Sequence, residues 1–248
     1  MVLPAEEGRG LITSLAHVLV ATAVPAERDA VAEAFPGPVR KRELPGAAVH
    51  ETAGGPALLA AGVGPALAAA STAVALTAAA LEGRPYGLVV CAGIGGGFAP
   101  HAPLGSLVVA DAITVADLGA ETAEGFLPVT ELGFGTVTHH PPASLAEAAA
   151  ATSGARTGTV LTVSTVTGTA ARADALRARH PRALAEGMEG FGVAEAAAAQ
   201  GVPVLEVRAV SNPVGPRDRA AWRIGDALNA LTEGFGKLAP VLESWNTA

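Results

Sequence analysis

The chain contains apolar runs in which successive residues are hydrophobic, without the alternation of apolar and polar side chains. One such run is Gly87-Leu88-Val89-Val90-Cys91-Ala92, and Val204 to Val210 is a second, mainly apolar run that is rich in β-branched residues. A strand with one face in water alternates apolar and polar residues, whereas a strand buried on both faces is apolar throughout. These runs therefore predict a sheet that helices cover on both faces.

Strand-like and helix-like segments alternate along the chain. Strands are predicted near residues 18–21, 47–51, 57–61, 87–92, 107–115, 157–163 and 204–210. Helices are predicted near residues 25–35, 65–81, 145–151, 170–178, 191–200 and 217–242. This order predicts an α/β fold, a single three-layer domain over residues 16–248 whose central mixed, twisted sheet is flanked by helices. Residues 1–15 are predicted to be an N-terminal extension.

Charge and cysteine content exclude several classes of function. The formal net charge is −7 and the 16 Lys and Arg residues form no basic cluster, so nucleic acid is not expected as a partner. The single cysteine, Cys91, allows neither an internal disulfide nor a cysteine-based zinc cluster. A reducing, cytoplasmic setting is therefore expected.

The N-terminal part of the chain has one feature of a signal peptide. Leu11 to Ala26 is apolar and follows Arg9, but Glu6 and Glu7 offset the positive charge and His17 interrupts the run. Other apolar runs are broken by Gly, Pro or charge before they reach the ~18 residues of a membrane span. Neither secretion nor a membrane partner is expected.

The segment from Asp117 to Pro142 is long and rich in glycine, and such loops are usually functional or disordered. It contains the adjacent pair His139-His140. This pair lacks the spacing of zinc ligands on a helix, and no third ligand suggests itself. No metal site is predicted.

Polar or glycine residues follow the predicted strands at four places. They are Glu27 after the first strand, Gly93-Ile94-Gly95-Gly96-Gly97, Met188-Glu189, and Ser211-Asn212. Ligands in open α/β sheets bind where the carboxyl ends of strands meet. The four places are therefore expected to come together in one site.

These motifs resemble the nucleoside phosphorylase and nucleosidase superfamily, from Val18 to Leu242. The stretch from Gly87 to Gly97 is similar to the glycine loop of that family. Glu186-Gly187-Met188-Glu189-Gly190 is similar to its Met-Glu ribose-binding motif, and Arg208 to Asn212 to its base-binding strand end. The resemblance implies a nucleoside phosphorylase-like fold and a purine nucleoside as the small-molecule partner.

Part of the chain resembles one branch of the superfamily more than the others. Ser211 to Arg219, followed by Trp222-Arg223, is most similar to a menaquinone-pathway hydrolase that releases hypoxanthine. In the superfamily a serine often occupies the position of Ile94, where it helps to hold phosphate or water. The replacement weakens the case for phosphorolysis. Without the resemblance, Gly93, Ile94 and Gly95 could equally form only a tightly packed turn.

The resemblance assigns catalytic roles to two glutamates. Glu27 matches the residue that polarises the attacking water, although by itself it could be a first-turn helix residue stabilised by the helix dipole. Glu189 matches the residue that accepts hydrogen bonds from the ribose 2′- and 3′-hydroxyls, with Met188 packed on the sugar. The alternative for Glu189 is a carboxylate that only caps free backbone amides.

Asn212, with Ser211 before it, is predicted to read the purine base. Adenosine-type nucleosidases have an aspartate at this strand end, whereas an amide offers N–H donors to N7 or O6 and suits a 6-oxopurine such as hypoxanthine. Asn212 could also be a turn-forming residue before Pro213. Asp218 is a spare acid if protonation is required.

Three arginines, Arg217, Arg219 and Arg223, follow within seven residues. They predict a substrate with a carboxylate on its far side, because arginine binds carboxylates through two parallel hydrogen bonds. On the predicted helix, Arg219 and Arg223 would share one face. The alternative is a surface ion-pair network with Asp218 and Asp226.

The sequence as a whole therefore predicts a homo-oligomeric N-ribosyl hydrolase, a dimer or larger, that requires no cofactor. A purine nucleoside phosphorylase and an adenosine-type nucleosidase are the alternatives among enzymes. A purine-nucleoside sensor or storage-type binding protein is the alternative without catalysis.

Overall fold

The computed structural model describes residues 15–245, except for the side chain of Ala16. Nearly all of the predicted extension, residues 1–14, therefore lies outside the described residues. The strands are β1 Val18–Thr22, β2 Val39–Leu44, β3 Ala47–Thr52, β4 Ala57–Ala60, β5 Leu88–Gly97, β6 Leu107–Val115, β7 Gly119–Thr122, β8 Gly125–Pro128, β9 Thr138–His139, β10 Arg156–Thr162, β11 Ala183–Gly187 and β12 Val204–Pro213. The α-helices are α1 Pro25–Glu33, α2 Pro65–Leu81, α3 Ala143–Ser153, α4 Ala170–Arg179, α5 Gly190–Ala198 and α6 Ile224–Ser244.

A mixed sheet forms the centre of the molecule. Its strand order is β11-β10-β6-β12-β5-β1-β4-β3-β2, and β9 pairs with β6. Strand β1 pairs in parallel with β4 and β5, and β12 pairs in parallel with β5 but antiparallel to β6. The long strand β5 also pairs with β11 near its carboxyl end, in antiparallel orientation. This extra pairing draws the ends of β5, β11 and β12 together.

Side chains of each central strand alternate between two hydrophobic clusters. On β5, Val89 and Cys91 pack with α2 and α5, whereas Val90 and Ala92 pack with α1, α3 and α6. The sheet is therefore covered on both faces, as the continuous apolar runs predicted. Among residues 15–245, none of the helices combines the length and apolarity needed to cross a bilayer.

The structure corrects the predicted start of the last helix. Residues 217–223 are not part of it: Arg219–Ala221 form a short 3₁₀ turn and α6 begins at Ile224. The Asp218 carboxylate accepts a hydrogen bond from the Ala220 N–H at 3.1 Å and so stabilises the turn. Arg219 and Arg223 therefore do not share the face of one helix.

Two other regions contain more strand than predicted. The glycine-rich segment forms a hairpin of β7 and β8 and the short strand β9. Strand β2, with the sequence VRKREL, was not predicted. It lies at the edge of the sheet and is largely exposed, so its residues need not be apolar.

Candidate active site

A cavity of about 360 Å³ opens where the carboxyl ends of β1, β5, β11 and β12 meet. It is lined by Ala23, Val24, Glu27, Val63, Ile94, Gly95, Gly96, Val166, Thr167, Glu186, Gly187, Met188, Glu189, Ser211, Asn212, Pro213, Gly215, Pro216, Arg217 and Trp222. All four polar or glycine-rich strand ends contribute to this lining. The sheet topology thus brings together residues up to about 200 positions apart in the sequence, from Ala23 to Trp222.

Glu27 lies in the first turn of α1 and is 4% exposed. One carboxylate oxygen, Oε2, accepts hydrogen bonds from the N–H groups of Ala23 at 2.9 Å and Val24 at 3.2 Å. The other, Oε1, accepts from the N–H of Ile94 at 2.8 Å. The carboxylate therefore joins the end of β1 to the glycine loop of β5, in addition to capping its own helix.

Burial raises the pKa of Glu27, because it removes water from the charged form. Attraction to the buried Arg208 guanidinium and the Ile94 N–H act in the opposite direction, but burial outweighs them. A raised pKa brings the carboxylate closer to the range in which it can take a proton from water near neutral pH.

Glu189 lies between β11 and α5 and is also buried, with 5% exposed. Its Oε1 accepts from the Gly64 N–H at 3.2 Å, and its Oε2 lies 3.2 Å from Nη2 of Arg208. The carboxylate is therefore fixed on two sides while it lines the cavity next to Met188. This orientation suits it to accept hydrogen bonds from sugar hydroxyls.

Arg208 is the largest fully buried side chain among the described residues. Its Nε donates to Oε1 of Glu206 at 2.8 Å, and its Nη1 donates to the carbonyl oxygen of Ile94 at 3.3 Å. Burial disfavours the charge, but Cys91, Glu206 and Glu189 raise the pKa of Arg208 more than burial lowers it. The guanidinium therefore stays protonated next to the carboxylates of Glu189 and Glu206.

Glycines create the space for this buried charge cluster. A Cβ atom on Gly187 would lie 2.8 Å from Cζ of Arg208, and one on Gly190 would lie 2.2 Å from Oε2 of Glu206. A Cβ atom on Gly93 would lie 2.7 Å from Oε1 of Glu27. Gly93 does not line the cavity, and its part in the site is to leave room for Glu27.

Sequence reasoning missed Arg208 and Glu206, although both lie in the apolar run of β12. A signal was present, because two opposite charges two positions apart on a strand point to the same face. In a strand buried on both faces, such a pair must find partners inside the protein. The ion pair of Arg208 with Glu206 is the result.

Ser211 and Asn212 lie near the end of β12. The Ser211 hydroxyl is 2.9 Å from Oδ1 of Asn212 and 3.2 Å from the carbonyl oxygen of Gly95. The Asn212 amide nitrogen donates to the carbonyl oxygen of Pro213 at 3.1 Å. One amide N–H of Asn212 therefore remains for a ligand in the cavity.

The three arginines after this loop differ in position. Arg217 lines the cavity, and its guanidinium carbon lies 4.9 Å from the ring centroid of Trp222. Arg219 stacks on the same ring at 5.8 Å but does not line the cavity, and neither does Arg223. The predicted ion pairs with Asp218 and Asp226 are not found among the described residues.

The structure thus places most of the predicted site residues around one cavity. Those that line it are Glu27, Ile94, Gly95, Met188, Glu189, Ser211, Asn212 and Arg217. Those that do not are Gly93, Arg219 and Arg223. Asp218, the predicted spare acid, is exposed in the 3₁₀ turn and does not line the cavity.

The described residues contain no group of three or more His, Cys, Asp or Glu side chains arranged to hold a metal ion. His139 Nε2 lies 2.7 Å from a carboxylate oxygen of Glu195, and His140 Nδ1 lies 3.1 Å from the carbonyl oxygen of Asp111. The two histidines therefore have separate protein partners. Burial raises the pKa of the free Cys91 thiol well above its ordinary value, which keeps the thiol unreactive.

Comparison with known families accounts for this arrangement of strand ends. The model of the phosphorylase superfamily matches residues 17–241, and the chain belongs to this superfamily. The resemblance inferred from the glycine loop, the Met-Glu motif and the base-binding strand end is confirmed.

Within the superfamily, the chain is similar to proteins named futalosine hydrolase. It is 78% identical to the futalosine hydrolase of Streptomyces coelicolor over 229 residues, which cover 92% of this chain and 97% of the relative. It is 47% identical to that of Acidothermus cellulolyticus over 233 residues, which cover 89% of each chain. The likeness to a menaquinone-pathway hydrolase, inferred from residues 211–223, is therefore confirmed.

Solved structures of lower sequence identity share the fold. The native structure of futalosine hydrolase of Helicobacter pylori strain 26695 has a TM-score of 0.73 at 17% identity, covering 91% of this chain and 96% of that one. The 5′-methylthioadenosine/S-adenosylhomocysteine nucleosidase of Neisseria meningitidis has a TM-score of 0.75 at 19% identity, covering 90% and 97%. The predicted nucleoside phosphorylase-like architecture is confirmed.

Proposed function

We propose that this protein hydrolyses the N-ribosidic bond of futalosine and releases hypoxanthine and dehypoxanthine futalosine, a step of menaquinone biosynthesis. The relatives named futalosine hydrolase support this substrate, and they match nearly the whole chain. One observation carries the mechanism: the carboxylates of Glu27 and Glu189 and the amide of Asn212 line a single cavity. Each has a distinct part in the hydrolysis.

Glu27 acts on the water. Its carboxylate is held by three backbone N–H groups, so its position does not change as a proton is transferred. A water beside it adds to C1′ of the ribose while its proton passes to the carboxylate. The bond from C1′ to N9 breaks, and its electron pair leaves with the base.

Glu189 acts on the sugar. Its carboxylate accepts hydrogen bonds from the 2′- and 3′-hydroxyls, and these bonds strengthen as positive charge develops on the ribose. Arg208 keeps the carboxylate in place from behind, at 3.2 Å. Met188, which also lines the cavity, packs against the sugar.

Asn212 acts on the leaving base. Its remaining amide N–H donates to N7 or O6 of hypoxanthine and so favours the departure of the purine with its negative charge. The Ser211 hydroxyl contacts Oδ1 and keeps the amide nitrogen turned away from it. This arrangement needs no cofactor.

Hydrolysis is favoured over phosphorolysis by the chemistry of the cavity wall. Ile94, an apolar residue, lies where a phosphate would need hydroxyl or cationic partners. Among the described residues that line the cavity, Arg217 is the only Lys or Arg, and it belongs to the loop after the base-reading residues. The buried Arg208 is already paired with Glu189 and Glu206.

The finer assignments of partners and location are part of the proposal. We place the enzyme in the cytoplasm as a homo-oligomer, a dimer or larger, with a purine nucleoside as its small-molecule partner and without nucleic acid or a membrane. The free, buried Cys91 supports a reducing compartment. The exposed apolar side chains of Val63, Leu67 and Leu81 support self-association.

The decisive experiment incubates the pure protein with futalosine, inosine and methylthioadenosine, with and without phosphate, and identifies the released bases by chromatography. We expect hypoxanthine from futalosine at a rate that phosphate does not change. Phosphate-dependent release would favour a phosphorylase, and adenine release would favour an adenosine-type nucleosidase. Binding of futalosine in a calorimeter without any product would favour a sensor.

A further inference from the structure

A third buried carboxylate lines the cavity, and the mechanism above does not use it. Glu186, near the end of β11, is 3% exposed. Its Oε1 accepts the backbone N–H of Thr167 at 2.8 Å, and its Oε2 accepts the Thr167 hydroxyl. A carboxylate has about four lone-pair positions, so acceptor capacity remains. The Thr167 N–H is already bonded to the Glu186 carboxylate. This wall of the cavity therefore offers a ligand hydrogen-bond acceptors and not this N–H donor.

The sheet register places Glu186 opposite Asn212. Gly96 of β5 pairs with Glu186 of β11 on one side and with Asn212 of β12 on the other. Paired residues on neighbouring strands point to the same face, and two strand spacings separate the Glu186 and Asn212 backbones by about 10 Å. The Glu186 carboxylate and the Asn212 amide therefore lie on the two strands that flank Gly96.

Gly96 also lines the cavity, between the strands that carry these two side chains. Its missing Cβ makes room for its neighbours, since a Cβ atom there would lie 2.8 Å from Cγ2 of Val214 and 3.3 Å from the amide nitrogen of Asn212. Glu186, Gly96 and Asn212 therefore contribute to the lining of one cavity.

The Glu186 carboxylate forms no direct ion pair. None of the described Lys, Arg or His side chains lies within ion-pair distance of it. Burial raises its pKa, while the hydrogen bonds from Thr167 and the more distant charge of Arg172 lower it. A buried carboxylate whose direct hydrogen-bond donors come from one neutral residue gains from a further donor that a ligand supplies.

A 6-oxopurine supplies that donor at N1, whereas in a 6-aminopurine N1 is an acceptor and the donor is the 6-amino group. Hypoxanthine carries a hydrogen on N1 and presents O6 and N7 as acceptors, whereas adenine has an unprotonated N1 and a 6-amino group. A carboxylate accepts hydrogen bonds but cannot donate them. It therefore attracts the N1–H of hypoxanthine and repels the N1 lone pair of adenine.

We propose that Glu186 determines base specificity: its carboxylate accepts the N1–H of a 6-oxopurine while Asn212 donates to O6 or N7. The inference rests on the proposed function, since it requires the base to bind in this cavity. It adds a second point of base recognition to Asn212, on the opposite side of Gly96. Discrimination against 6-aminopurines then depends on both residues.

The test compares two nucleosides that have the same sugar and tail, futalosine and its 6-amino counterpart. We measure kcat/KM on both for the wild type and for Glu186→Gln. The Gln oxygen can keep the Thr167 N–H, and its NH₂ group then occupies the place of Oε2, where it can donate to N1 of adenine. The preference for the 6-oxo substrate should fall by about 10- to 100-fold.

Three further variants serve as comparisons. Glu186→Ala removes the acceptor without adding a donor and should also lower the preference for the 6-oxo substrate. This variant provides the test if Glu186→Gln does not fold. Asn212→Asp should shift the preference in the same direction through the other side of the base. Glu195→Gln, the same substitution at an exposed surface carboxylate, should leave the ratio unchanged.

Binding of the free bases separates failure of this inference from failure of the proposed function. Calorimetry should show that the wild type prefers hypoxanthine to adenine and that Glu186→Gln loses this preference. A folded Glu186→Gln or Glu186→Ala variant with the wild-type preference overturns the inference, even if futalosine is hydrolysed. A wild type that binds hypoxanthine but cleaves no futalosine overturns the proposed function and leaves the base-binding test of Glu186 intact.

Discussion

Glu27 shows how one side chain serves both the fold and the chemistry. Its carboxylate caps the first turn of α1 and also binds the Ile94 N–H of the glycine loop. The structural and the catalytic interpretations of this residue therefore do not compete. The same N–H groups that join α1 to the glycine loop hold the carboxylate at the cavity, where the proposed mechanism places a general base.

Glu27→Gln is expected to lower kcat by about 100-fold or more with little change in KM, because a general base acts mainly in the transition state. Since the amide cannot accept from all three N–H groups, the variant should also lose about 1–3 kcal/mol of stability. Steady-state kinetics on futalosine, measured well below the melting temperature, test this expectation.

The pH dependence of kcat provides a second test of the role of Glu27. Only the ionised form of Glu27 can accept a proton, and burial raises the pKa of this carboxyl group above its ordinary value. The wild-type kcat should therefore fall as the pH drops through this raised pKa, and Glu27→Gln should lack this acidic limb. Glu33→Gln, at an exposed position of the same helix, is the control. A variant at residue 27 with normal turnover would remove Glu27 from the mechanism.

Arg217 is the arginine that we expect to bind the carboxylate of the substrate, because it lines the cavity beside Trp222. Arg217→Met should lower kcat/KM on futalosine by about tenfold or more, since a charge-assisted hydrogen bond is lost. Activity on inosine, which has no carboxylate, should change little. Arg223→Met serves as the control. Equal losses on both substrates would argue against carboxylate binding.

At the scale of the elements, the β11–α5 junction and strand β12 form one unit. Strand β12 contributes Glu206, Arg208 and Asn212, and the junction contributes Gly187 and Gly190, which leave room for the buried charges. The close packing places the start of α5 against the carboxyl group of Glu206. Glu189, the proposed ribose-binding residue, lies between these two glycines, so its position depends on the same packing.

Gly190→Ala tests this dependence. The new Cβ would lie 2.2 Å from Oε2 of Glu206, a fully buried group that cannot move into water. We expect a loss of about 1–3 kcal/mol in the free energy of unfolding, together with lower activity. Urea denaturation measures the first effect, and kinetics on futalosine measure the second.

A matched glycine substitution provides the comparison. Gly236 lies on the exposed side of α6, where a Cβ would meet nothing within 4 Å. Gly236→Ala should therefore stabilise the protein by about 0.5–1 kcal/mol, since alanine is the better helix former. If the free energy of unfolding were the same for Gly190→Ala and Gly236→Ala, the expected contact between Glu206 and the start of α5 would be contradicted.

At the scale of the whole molecule, exposed apolar side chains on and just before α2 offer a surface for self-association. Leu67 and Leu81 of α2 are 54% and 84% exposed, and Val63, just before the helix, also lines the cavity. Burial of such side chains against a second copy would be favourable. Self-association through α2 would place the second copy near the mouth of the cavity.

Light scattering after size-exclusion chromatography should give a mass of at least twice the 24.4 kDa of one chain. Leu67→Glu should shift the population toward the single-chain mass, because the charge would be buried at the interface. Leu104→Glu, at another partly exposed leucine, is the control and should not. A wild-type mass of one chain would contradict the proposed oligomer.

The fold class and the main candidate residues of the site could be predicted from local patterns in the chain. Continuous apolar runs reflect burial on both faces, which is a local property of each strand and is therefore visible in the chain. Glu27, Glu189 and Asn212 were found because each follows a recognisable strand or motif. Strand β2 was missed for the converse reason, since an exposed edge strand needs no apolar pattern.

The contacts between distant residues could not be predicted in this way, because they depend on how the strands pair. The pairing of Arg208 with Glu189 and Glu206, and the placement of Glu186 opposite Asn212 across Gly96, depend on strand register and on the extra contact of β11 with β5. Register is set by packing across the whole sheet, which no local stretch encodes. The helical pattern of the sequence likewise did not predict where α6 begins. The helix begins at Ile224 because the residues before it form a 3₁₀ turn that Asp218 caps.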